Sequence, residues 1–294
     1  MRRLLLTALA LGAAIGSSAA AAPAPEWVEL ESATTPPTPF ALKRAKAKGI
    51  ELKQEPGTPL RGLLVCPEGE GPFPAVVLLH GCDSIQPFQE QWAKDLASWG
   101  YVALLVDSHG PRGIGDDCAR WPPTAGTRSD DAFGTLAYLR GLTFVDAARV
   151  GVVGWNTGGR TAILVVDEKG PQQGLEAVFA AGVALYPAAG FPNEPSAPML
   201  ILIGEADDCI PAARVRRAMQ EVRPGPFPLR PEVLPDAGHG FDNPRFAKAV
   251  RLPLEQAQFC FYSEASTGTT LAYSEAAGED AAERVRAFLE EHLK

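Results

Sequence analysis

The sequence predicts an α/β fold: a mostly parallel sheet of about seven or eight strands with helices on both faces. Three observations carry this. Short apolar, β-rich runs alternate with longer stretches of helical spacing, the pattern of strand–helix–strand crossovers. Most of those runs are continuously apolar, as strands covered on both faces are. The stretch from Arg149 to Gly159, RVGVVGWNTGG, reads as a buried strand, a glycine-flanked turn and the start of a helix.

In chain order, residues 1–22 open with two arginines, continue with an apolar run from Leu4 to Ile15 broken by Thr7, and end in small residues. That is the pattern of a secretory signal peptide, too short to cross a bilayer as a stable anchor. Residues 23–45 then read as an extended, proline-rich lead-in, and residues 46–294 as one domain. Strands are expected at Gly62–Cys66, Ala75–Leu79, Val102–Asp107, Val150–Val153, Val178–Leu185, Met199–Ile203 and Leu229–Leu234. Phe88 to Trp99 has helical spacing and stops at Gly100, a suitable C-cap. Ser129 is the expected cap of a helix whose apolar face includes Phe133, Leu136, Leu139 and Leu142. A last helix, Asp280 to Leu293, lines up Ala281, Val285, Phe288 and Leu289.

The hydrophobic content of 46% suits a globular chain, and a net charge of −8 offers no basic face for nucleic acid. Five cysteines in an exported chain allow two disulfides with one left over. Cys82 with Cys118 and Cys209 with Cys260 are the expected pairs, from their places in loops, and Cys66 is the expected buried remainder. The four histidines lie far apart and no C-x-x-C spacing occurs, so no metal site is expected. Neither a dinucleotide nor a phosphate-loop motif is present, and no cofactor is expected. Oligomeric state is open.

The chemistry-bearing residues fall at the ends of predicted strands. Gly154-Trp-Asn-Thr-Gly158 has the frame of a nucleophile elbow, G-x-S-x-G, with Asn156 where the nucleophile stands. Gly204-Glu-Ala-Asp-Asp leaves an apolar strand and offers Asp207 as the acid, preferred to Asp208 on spacing. Gly238-His-Gly presents His239 as the base. Leu79-His-Gly-Cys leaves another strand, placing the Cys82 amide, with that of Thr157, where an oxyanion hole belongs. Elbow, acid, histidine is the chain order used by α/β-hydrolases. His80 is read as shaping its turn, while His109 and Arg112 have either a substrate contact or a surface role.

His80-Gly-Cys82, Asp107-Ser-His-Gly-Pro-Arg-Gly113, the Gly204–Asp207 loop and Ala237-Gly-His-Gly-Phe-Asp242 together resemble the dienelactone hydrolase family, over Leu60 to Leu293. The resemblance implies an α/β-hydrolase fold and cofactor-independent hydrolysis of small esters or lactones, through a cysteine or serine on the elbow. Asn156 departs from that pattern. A carboxamide tolerates the positive φ of an elbow but has no acidic proton to give a base. Three readings remain open on sequence: a pseudo-hydrolase that binds a small ligand in a retained pocket, a working enzyme by another route, or an inactivated hydrolase. The other routes are deamidation of Asn156 to aspartate, or substitution by Thr157, Cys82 or Ser84.

Overall fold

The continuous apolar runs become the middle of one twisted sheet. The computed structural model describes residues 22–294 apart from 35–38, 51–55, 116–117, 119–124, 172–177, 189–190, 193, 223–224, 258 and 261–267. In chain order the elements are β1 (Glu26–Glu31), α1 (Pro39–Ala47), β2 (Pro59–Val65), β3 (Phe73–Leu79), α2 (Pro87–Ser98) and β4 (Val102–Asp107). Then follow α3 (Ala125–Arg140), β5 (Val145–Trp155), α4 (Thr157–Val165), β6 (Ala181–Leu185), β7 (Met199–Gly204), α5 (Ala212–Glu221) and β8 (Leu229–Leu234). A short hairpin, β9 (Val250–Leu252) with β10 (Thr269–Leu271), precedes α6 (Glu275–Leu293).

Among the described residues, eight strands pair in the order β1-β2-β4-β3-β5-β6-β7-β8. From β4 to β8 every pairing is parallel, while β2 runs antiparallel to both β1 and β4. Alternate side chains of each central strand feed two cores. Val77 and Leu79 join Phe133, Leu136 and Ile163 of α3 and α4 on one face. Val76 and Leu78 join Trp92, Leu96, Val285 and Phe288 of α2 and α6 on the other. This is why the runs are apolar at every position: neither face meets water.

The crossover from β3 leads to β4 on one side, and the next strand, β5, pairs with β3 on its other side. Strand order therefore reverses at the carboxyl ends of β3 and β5, which opens a crevice there. The loops that begin at His80 and Asn156 flank it.

Four sequence expectations need correction. Glu26–Glu31, assigned to the lead-in, is the edge strand β1, and Pro39–Ala47, which straddles the expected boundary at 45, is helical. Ser129 is no cap, because α3 begins four residues earlier and Ser129 is buried within it. β6 starts at Ala181 and leaves Val178 exposed. Cys66 is half-buried just beyond β2, where burial, then Glu26, push its thiol pKa up. Of the expected leader, residues 1–22, all but the last lie outside the described residues. Among the described residues no helix is long and apolar enough to cross a membrane.

Candidate active site

β5 ends on a turn that only glycines at its two flanks permit. A Cβ on Gly154 would meet the Gly158 carbonyl oxygen at 2.2 Å, and one on Gly158 would meet the Leu79 oxygen at 2.1 Å. Between them Asn156 is held at φ 51° and ψ −114°. Its backbone N–H donates to Leu185 O at 3.1 Å, and its carbonyl accepts from Ala188 and Arg160, so β6 and α4 together fix the strained residue.

Loops after β7 and β8 bring the acid and the histidine to it. Asp207 is 3% exposed; its Oδ1 accepts the N–H groups of Cys209 and Ile210, both at 2.8 Å, and its Oδ2 faces His239 Nδ1 at 2.9 Å. His239 Nε2 lies 2.7 Å from Asn156 Nδ2. A carboxylate on one ring nitrogen and an amide NH₂ on the other set the tautomer: Nδ1–H donates to Asp207, and Nε2 accepts from Asn156. Asn156 Oδ1, in turn, accepts the Thr157 N–H at 2.6 Å. The carboxamide thus bridges the histidine and the first amide of α4.

The structure brings Asn156, Asp207, His239 and Thr157 into one bonded chain, with the Cys82 loop beside them. Asp208 stands apart: its carboxylate accepts from Arg251, Thr269 and Thr270 and ties down the β9–β10 hairpin. Cys82 is bonded to Cys118 and Cys209 to Cys260, as expected, so neither Cys82 nor Cys209 has a thiolate to offer. Cys82, Asn156, Tyr186, His239, Arg245 and Phe259 are among the residues around a cavity of about 530 Å³.

His80 shapes its turn, donating from Nδ1 to Gly81 O at 2.7 Å and accepting the Ser108 N–H on Nε2 at 3.1 Å. Burial, then the charge of Arg128 and His109, hold its pKa well below the histidine range. His109 stands edge-on to it at 4.5 Å, its pKa lowered to about 4 by burial and Arg128. Arg112 is fork-bonded to Asp131 at 2.7 and 2.9 Å. Neither residue is among those around the cavity: His109 is fully buried, bonded to Ser84, whereas Arg112 keeps partial exposure and also donates to Ser108 O.

Three residues escaped the sequence reading. Arg128, buried at the start of α3, donates to the carbonyls of His80 (2.6 Å) and Gly81 (3.3 Å) and to Thr157 Oγ1 (3.3 Å), clamping the Cys82 loop to the elbow. Asp242 accepts Trp92 Nε1–H at 3.0 Å, Trp155 Nε1–H at 2.8 Å and Tyr186 O–H at 2.6 Å, and burial raises its pKa. Tyr186, at φ 35°, sets its ring 4.9 Å from that of His239. Only Asp242, in the Gly-His-Gly-Phe-Asp run, carried any signal.

The sequence pattern of the dienelactone hydrolase family matches residues 60–293. The chain belongs to that family. Among curated relatives, a candidate carboxymethylenebutenolidase of Methylorubrum extorquens is 28% identical over 199 residues, 60% of this chain and 65% of that one. A probable 2-oxo-3-(5-oxofuran-2-ylidene)propanoate lactonase of a Bradyrhizobium is 32% identical over 108 residues, 34% of this chain and 44% of that one. The chain thus spans less than two thirds of either relative. A dienelactone hydrolase-like promiscuous phosphotriesterase from metagenomic libraries shares the fold at TM-score 0.63 and 18% identity, covering 92% of this chain and all of that one.

Proposed function

We propose that this family member is built to hydrolyse small carboxylic esters or lactones and that Asn156 withholds the nucleophile. The observation that carries the reading is the 2.7 Å contact between Asn156 Nδ2 and His239 Nε2. That is where a serine or cysteine would hand over its proton, and the amide donates there without yielding one. Asp207 holds the ring for its role as base. The Thr157 and Cys82 amides form the oxyanion hole, in which Asn156 Oδ1 now occupies the Thr157 donor. The lactonase and carboxymethylenebutenolidase names of the relatives fit a cavity of this size. Export is supported by the leader-like sequence and the two disulfides.

Hydrolysis of short-chain nitrophenyl esters by the native protein, Asn156→Ser and Asn156→Ser/His239→Ala tests this. Asn156→Ser is expected to turn over at least about a thousandfold faster than the native chain, and the added His239→Ala to abolish the gain. An inert, folded Asn156→Ser protein refutes the reading. A ligand-binding role rests on the same intact cavity and predicts a raised melting temperature with ester hydrolysis products, without turnover.

A further inference from the structure

We propose that the site processes itself: the Asn156 carboxamide is held as an amide substrate and is hydrolysed in place to aspartate. The inference rests on the hydrolytic machinery proposed above, turned on a group of the chain itself.

Each part of an amide hydrolysis has its counterpart around Asn156. Oδ1 sits on the Thr157 N–H at 2.6 Å, so the oxygen that gains charge during attack at Cγ already has its donor. Nδ2, the leaving nitrogen, sits 2.7 Å from His239 Nε2, the ring atom able to carry a proton to it. Asp207 secures the opposite ring nitrogen. Asn156 also lines the cavity, which gives the carboxamide an opening for water to approach. Holding the reacting groups in fixed positions is the part of such a reaction worth most to its rate.

The step balances without a further reagent. Water adds to Cγ and loses a proton to His239 Nε2. The C–Nδ2 bond then breaks, Nδ2 takes that proton, and ammonia leaves. An α-linked aspartate remains at 156, with one oxygen from water. The backbone route to the same residue differs: Thr157 N attacks Cγ, a cyclic imide forms, and its opening gives isoaspartate as well as aspartate, with no need of His239. The product places a carboxylate, a recognised covalent nucleophile, on the elbow.

The experiment is incubation of the purified full chain at neutral pH in heavy-oxygen water, followed by mass analysis of the tryptic peptide Val150–Arg160. Expected is a single conversion at 156 that takes up one heavy oxygen, gives aspartate free of isoaspartate, and slows about a hundredfold in His239→Ala. His239→Gln, with melting curves for all proteins, guards against a folding defect. Persistence of Asn156 in the folded protein overturns the proposal, and so does an aspartate–isoaspartate mixture formed at a rate indifferent to His239. The ester assay on Asn156→Ser is separate. An active Asn156→Ser beside an unconverted native chain removes this inference alone; conversion beside an inert Asn156→Ser removes the ester reading alone.

Discussion

Asp242 puts three buried donors on one carboxylate, and one of them, Tyr186, sets its ring beside that of His239. Trp92 and Trp155 both bond Oδ2, and Tyr186 bonds Oδ1. Burial favours the neutral acid and raises the pKa, while the three N–H and O–H donors oppose it by stabilising the charged form. Asp242→Asn turns one acceptor into a donor that faces another donor. Unfolding in urea should show a loss of about 1–3 kcal/mol, with Asp242→Ala at the upper end. Unchanged midpoints would mean that the aromatic donors find water instead. Asp207 meets a similar test through its role: it accepts two backbone amides on one oxygen and holds the histidine with the other. In an Asn156→Ser background, Asp207→Asn should lower kcat by about four orders of magnitude, because an amide can leave His239 in the wrong tautomer. A loss of under tenfold would remove Asp207 from the triad.

At the scale of elements, the loops after β3 and β4 are locked by a pair of neutral histidines beside a buried arginine. Both rings have lowered pKa values, that of His109 to about 4. A histidine depressed in the folded state contributes stability that is fully present above its unfolded value near 6.5 and is lost as pH falls towards the folded one. Stability should therefore drop between pH 7 and pH 5, and His109→Gln should remove about 2 kcal/mol of that drop. Denaturant titrations at the two pH values decide it; equal drops in both proteins would assign the pH response elsewhere. These same loops show what sequence can and cannot reveal. The strands β3 and β7, and β4 up to its terminal Asp107, announce themselves because burial on both faces leaves no polar residue to confuse the period. β1 does not, since it is an edge strand whose Glu26, Glu29 and Glu31 face solvent. α5 escapes notice because arginines occupy much of its surface. The elbow, Asp207 and His239 are legible because each sits in a short local motif at a strand end. Arg128 and the partners of Asp242 are not, because these contacts span as many as 150 residues and only the fold unites them.

For the molecule as a whole, the two disulfides fasten the walls of one crevice. Cys82–Cys118 closes a span of 36 residues and joins the loop after β3 to the segment after β4. Cys209–Cys260 closes 51 residues and joins the Asp207 loop to the segment whose Phe259 ring lies 5.8 Å from that of His239. Loops of that length each restrict the unfolded chain by an amount worth about 4 kcal/mol in the simplest entropy model, and measured values run at about 2–4. Removing one bridge should lower the melting temperature by roughly 5–10 °C in a domain of this size. The two bridges should differ in function. In an Asn156→Ser background, Cys209→Ser/Cys260→Ser frees the support of the acid and should lower kcat with little change in KM. Cys82→Ser/Cys118→Ser instead loosens a cavity wall along with the Cys82 amide, and should raise KM as well as lower kcat. Identical kinetic effects from the two pairs would mean that the bridges stabilise the fold without positioning the site. A fall in melting temperature with unchanged kinetics would show that the hydrogen bonds of Asp207 and Arg128 hold the crevice by themselves.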